Sequence, residues 1–181
     1  MRTFLSRALA CGALLLATAV AAPAQTAPGS SPAPAPAATA PPVEMLLVLV
    51  HALVGAFNAA AAYPAAIFTA DAVVTDEFPP FVWSASNGGA KQWWSDLVSE
   101  PGTARHDRFV AAKQHVETTA PEFVRVSGDG AWFVCPSTLQ YTTPAGAVHV
   151  QQGRWLFYLR REGGAWKISA HAWDELSDVV R

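Results

Sequence analysis

Residues 128–173 read GDGAWFVCPSTLQYTTPAGAVHVQQGRWLFYLRREGGAWKISAHAW. Three runs rich in Val, Ile, Thr, Phe, Tyr and Trp are separated by Pro144-Ala145-Gly146 and Glu162-Gly163-Gly164. Runs of β-branched and aromatic residues broken by short glycine-containing turns form antiparallel strands. On the last run a period of two places Lys167, Ser169, His171 and Trp173 on one face and Trp166, Ile168, Ala170 and Ala172 on the other. Which of the two faces lines an interior stays open at this point.

Upstream, Val43 to Ala62 is an apolar helical stretch whose strongly polar residues, Glu44, His51 and Asn58, recur every seven positions and so share one stripe. Its length also invites a membrane span; the ranking goes to a packed helix, because much of the apolar content is alanine. Tyr63-Pro64 ends it, and the proline can open a short second helix through Phe68. Asp71 to Glu77 reads as a short strand with Asp76 at its far end, and Pro79-Pro80 enforces a turn. Ser86-Asn87 is the expected cap of a third helix over 90–100, with Trp93, Trp94, Leu97 and Val98 on one face and Pro101-Gly102 as its stop. Strands over Phe109 to Glu117 and Glu122 to Val126 follow. The fold class is therefore α+β: a curved antiparallel sheet wrapped around a long N-terminal helix and two shorter helices.

The N-terminus has a different character. Arg2 and Arg7, the apolar run Ala8 to Ala22 and the small-residue site Ala22-Pro23-Ala24 form a secretory signal over 1–24. Residues 25–42 are Pro, Ala, Ser, Thr and Gly without charge, a composition that buries too little surface to order itself and forms a linker. The folded domain is expected over 43–181, exported to the periplasm or secreted, with no stable membrane span after cleavage. Removing the signal leaves ten basic against fourteen acidic side chains, which argues against a nucleic-acid partner. The five histidines lack metal-ligand spacing, and Cys135 is the single cysteine beyond the signal. No cofactor or metal is expected, and Cys135 reads as a buried small group rather than a nucleophile.

The phrase FTADAVVTDEF, a following helix, a strand pair joined at GDGAW and the terminal GRWLFYLRREGGAWKISAHAW resemble the SnoaL-like branch of the nuclear transport factor 2-like superfamily, which includes ketosteroid isomerase. The resemblance covers roughly Val43 to Trp173 and implies a cone with a cavity between sheet and long helix. In isomerase-like members an acid at the end of the first strand is the general base, and Asp76 holds that position here. A carboxylate at the mouth of an apolar cavity suits the task because desolvation raises its pKa; the plainer reading of Asp76 is a solvated or turn-capping acid. The first helix has no Tyr before Tyr63, and 153–161 carries no acid, so the isomerase's oxyanion donors are absent and true ketosteroid isomerisation is disfavoured. A pairing of Asp76 with His171 or His115 remains. Trp83, Tyr141 and Trp173, with His115, are the candidate ligand contacts for a small apolar molecule, the other aromatics filling the core. The resemblance also implies a homodimer, and a non-catalytic dimerisation or protein-interaction module of the same fold is the competing function.

Overall fold

The computed structural model describes residues 42–99 and 112–181. The expected signal, all of the linker but Pro42, the Pro101-Gly102 stop and residues 109–111 of the expected strand lie outside the described residues. The described elements are α1 (Val43–Asn58), a 3-10 turn (Ala65–Ile67), β1 (Phe68–Thr75), β2 (Val82–Trp83), a second 3-10 turn (Ala85–Asn87) and α2 (Gly89–Trp94), which continues as a π-helical turn (Ser95–Ser99). The remaining strands are β3 (Ala112–Thr118), β4 (Phe123–Ser127), β5 (Gly130–Thr142), β6 (Val148–Glu162) and β7 (Ala165–Val180).

One seven-stranded sheet runs in the order β2-β1-β7-β6-β5-β3, with β4 also on β5. All neighbours are antiparallel except β1, which lies parallel to β7, so the sheet is mixed. Strand β5 changes partner along one edge: Val134 still faces β4, whereas Ser137 already faces β3. Pro136, which has no N–H to give a ladder, sits at that changeover, and its carbonyl accepts the Thr119 N–H at 3.0 Å. The Gly163-Gly164 hairpin has both residues at positive φ, 59° and 84°, as a tight turn between twisted strands requires.

On β7 the strict alternation read from the sequence fails. Ile168 stands opposite Leu159 and Ala170 opposite Tyr158, so Ser169 is an extra residue, a β-bulge. The bulge turns both Ile168 and His171 inward, where both are buried. The two faces expected to be alternatives thus each contribute an interior side chain.

Helix α1 buries Leu46, Val50, Leu53 and Phe57, the i, i+4, i+7, i+11 stripe of a helix packed on a core. Glu44 and His51 are exposed, as their spacing predicts. Asn58 is not a surface residue: its amide donates to the Val116 carbonyl at 2.8 Å and accepts the Val116 N–H at 2.7 Å, fastening β3 to the helix end. The helix stops there, four residues short of Ala62, and the chain turns through Ala60 at φ 44°. Ala61 then accepts the Trp94 indole N–H at 2.9 Å. Ahead of α2 the cap is a reciprocal Ser84–Asn87 pair rather than Ser86-Asn87 itself. Trp93, Trp94, Leu97 and Val98 are buried, as their helical spacing predicts.

Gly153 on β6 shows how tightly the far end of β7 is seated. A Cβ there would lie 2.7 Å from both the Asp174 carbonyl and Trp173 Cζ2. Gly153→Ala is expected to cost about 1–3 kcal/mol through overpacking, measured by urea unfolding against the parent.

Candidate functional site

Asp76 follows β1 on the face already occupied by Ala72 and Val74, which are buried. The period of two therefore carries its carboxylate inward. Oδ2 accepts the indole N–H of Trp93 at 2.9 Å, and Oδ1 accepts the backbone N–H of Phe78 at 3.3 Å. The carboxylate opens on a cleft lined by Phe57, Trp93, Val116, Leu139, Trp155 and Trp173. Burial among these groups raises its pKa above the ordinary carboxylate range, and the Trp93 and Phe78 donors offset part of that rise. The cleft's volume is about 20 Å³, on the scale of one water molecule rather than of a ligand pocket of several hundred Å³. Phe57 is the α1 residue in that space, its ring 6.0–6.4 Å from those of Trp93, Trp94 and Trp155.

His171 lies behind this cleft and is 3% exposed. Its Nδ1 accepts the Trp155 indole N–H at 3.1 Å. An indole nitrogen only donates, so Nδ1 carries no proton and the neutral ring carries it on Nε2. Burial pushes the imidazole down to about 3, so it is uncharged at any ordinary pH. Its ring meets Trp93 edgewise at 4.5 Å. Trp93 therefore touches both expected catalytic residues, donating to one and packing on the other.

The remaining expected contacts divide. Trp173 lines the Asp76 cleft, and its buried indole N–H has no hydrogen-bond partner. Trp83 is fully buried and donates to Asp96 at 2.9 Å, away from that cleft. His115 is exposed on β3, 3.4 Å from Glu117. Tyr141 is buried on β5, stacked on His149 at 4.8 Å and edge-on to Phe78 at 5.7 Å. Its phenol is pushed up by burial first and then by the charges of Glu77, Asp178, Glu175 and Asp76.

Those acids form a polar cluster beside Asp76 that the sequence reading passed over. Gln151 on β6, 1% exposed, donates from Nε2 to both Glu77 oxygens at 2.8 and 2.9 Å and to Glu175 at 3.1 Å. Burial and a side-chain hydrogen bond with Glu175 push Glu77 up to about 8. The readable signal was Gln151 itself, a polar residue in phase with Trp155, Phe157 and Leu159 on the inward face of β6. Cys135 is buried, its thiol pushed up to about 11 by that burial, as befits a packing group.

The depressed imidazole fixes the sign of a pH dependence. Between 6.5, its ordinary value, and about 3, the unfolded chain binds a proton that the folded chain refuses. This contribution to stability is complete above that window and is lost as pH falls through it, by about 1.4 kcal/mol per pH unit. His171→Gln, which keeps an acceptor for Trp155, is expected to flatten this part of the stability profile between pH 6 and 4, as read by urea unfolding.

No protein-family model and no curated protein matches the chain. Solved structures do. The hexachlorocyclohexane dehydrochlorinase LinA-type3 from Novosphingobium barchaimii superposes with a TM-score of 0.61 at 14% identity, covering 77% of this chain and 90% of that one. An uncharacterized protein with a cystatin-like fold from Caulobacter vibrioides gives 0.57 at 18% identity, over 75% and 89%. A ketosteroid isomerase-like protein from Erwinia carotovora gives 0.54 at 22% identity, over 72% and 92%. At these identities the likeness speaks for architecture alone, and that architecture, a curved mixed sheet packed on a helix, is the cone that the resemblance implies: the chain has the cystatin-like, nuclear transport factor 2-like fold.

Proposed function

We propose that the domain binds a small, largely apolar molecule at the Asp76 cleft and transfers a proton on it, with Asp76 as the general acid–base group. The observation that carries this reading is the desolvated carboxylate, turned into an aromatic cleft and held by two N–H donors with its proton affinity raised. A carboxylate whose affinity for protons is raised is a stronger base toward weak carbon or oxygen acids. Trp173 lines the same cleft, and its buried, unpartnered indole N–H becomes a donor for a polar atom of the ligand once the ring swings aside. His171 acts through Trp93 and Trp155, as a neutral brace rather than a proton carrier. Proteins of this fold with eliminating or isomerase-like names, among them a dehydrochlorinase, lend the reading support.

The cleft is small, and binding on this account requires Phe57 or Trp173 to swing aside. That same packing favours a second reading, a non-catalytic module whose interior is closed and whose sheet serves dimerisation or docking. Export to the periplasm or outside the cell, from the signal over 1–24, belongs to either reading. Among the described residues no helix is long and apolar enough to cross a membrane.

The test is a fragment screen of small apolar carbonyl and halogenated compounds, with solvent deuterium incorporation followed by NMR. Asp76→Asn is expected to lower the exchange rate about 10²–10⁴-fold while leaving the fold intact. Phe57→Ala is expected to cost about 3–5 kcal/mol in stability and to tighten fragment binding by opening the cleft. No binding or exchange by the parent chain, with none gained in Phe57→Ala, would favour the closed module.

A further inference from the structure

We propose that Glu77 and Glu175 hold one proton between them across the Gln151 amide, and that this carboxyl pair is the latch that fixes the Asp76 turn onto the sheet. The geometry is a single NH₂ group facing two carboxyl groups. Gln151 Nε2 has two hydrogens and three carboxyl oxygens at 2.8, 2.9 and 3.1 Å. Glu175 thus stands beside Glu77 across one amide, and its side chain raises the Glu77 carboxyl's affinity for protons. Two ionised carboxylates repel at such a distance, whereas an acid and a carboxylate share an O–H···O bond. As with other coupled carboxyls, the proton belongs to the pair.

The surroundings keep that proton in place. From the turn comes Asp76, from β7 Glu175 and Asp178, from β6 His149, and from β5 Tyr141. Asp76 and Glu175 both raise Glu77, as does its burial. Among the described residues of this cluster His149 is the group able to become a cation, and it is engaged by Asp178 at 2.6 Å. Arg and Lys are absent from the groups that shift Glu77.

The mechanical consequence follows from the turn. Residues 76–81 are closed by the Asp76 N–H on the Phe81 carbonyl at 3.0 Å, and Pro79, Pro80 and Phe81 are exposed. Glu77 ties this turn to Gln151 of β6, which in turn holds Glu175 of β7, and Phe78 leans on Tyr141. Loss of the shared proton sets two like charges against each other, lifts the turn, and withdraws Asp76 from the Trp93 N–H. Glu77 is thus a positioning residue for Asp76, whether or not a substrate is turned over there.

The experiment follows the Trp93 indole N–H resonance of the full chain from pH 6 to 10, alongside the carboxyl resonances of Glu77 and Glu175. In the parent chain the indole resonance is expected to move with a midpoint near 8, together with Glu77. Glu77→Gln, neutral and still able to bond Glu175, is expected to abolish that movement and keep the low-pH position throughout, while Glu77→Ala shifts the resonance at every pH. Glu175→Gln is expected to lower the Glu77 midpoint. A parent resonance that stays fixed, a Glu77→Gln chain that still moves with the same midpoint, or a Glu77 midpoint unchanged in Glu175→Gln overturns the latch. None of these readouts depends on catalysis, so failure of the proposed activity and failure of the latch are separate results.

Discussion

The hydrogen bond from the Trp93 indole to Asp76 links the helical layer to the sheet at the point where the fold is least comfortable. Alternation along β1 drives a carboxylate into apolar surroundings, and an uncompensated charge there costs several kcal/mol. Trp93 and the Phe78 N–H compensate part of it, and a raised affinity for protons reflects the rest. Trp93 must then be held in turn. Phe57 of α1 stacks against it at 6.3 Å, and His171 meets it at 4.5 Å. His171 is oriented by Trp155 on β6. One half-buried acid thus organises α1, α2, β1, β6 and β7 around itself.

Among the described residues two of the buried polar side chains, Gln151 and His171, stand toward the Asp76 turn. Ile168, Leu159, Phe157 and Phe133 fill the other end with hydrocarbon. Toward the Asp76 turn the sheet presents His171, Gln151 and Glu175, with Glu77 arriving from the turn. A core built for stability alone gains little from such groups, since apolar replacements of similar volume are as stable or more so. Their placement together is the physical reason to look for chemistry at this end of the cone and not at the Gly163-Gly164 hairpin.

Much of the fold was legible because it is written in turn chemistry and alternation. The glycine turns at 146 and 163–164, the proline turn at 79–80 and the α1 stripe all fell where their residues required. Asp76 was singled out by the family resemblance, with a solvated turn acid as the alternative, and its inward direction became visible only beside the buried Ala72 and Val74. Four features did not follow. The bulge at Ser169 reverses parity along β7, and no local signal marks it, so the inward turn of His171 could not be read from spacing. Trp83 looked like a pocket residue until Asp96, thirteen positions on, claimed its N–H. The occupation of the cleft by Phe57 depends on the angle at which α1 meets the sheet, which is set by packing and by Asn58 gripping β3. Glu77 was seen only as a neighbour of Asp76, because its partners are 74 and 98 positions away in the chain.

The account stands on the state of one carboxyl group, and that state is directly measurable. A carbon-detected NMR titration of the Asp76 carboxyl, assigned with Asp76→Asn, is the decisive observation. A midpoint well above the ordinary carboxylate value of about 3.9 is the predicted result and places the group in a desolvated cleft, fit for proton transfer. A midpoint at or below that value contradicts the account, because it describes a solvated turn acid with no chemical tension to relieve.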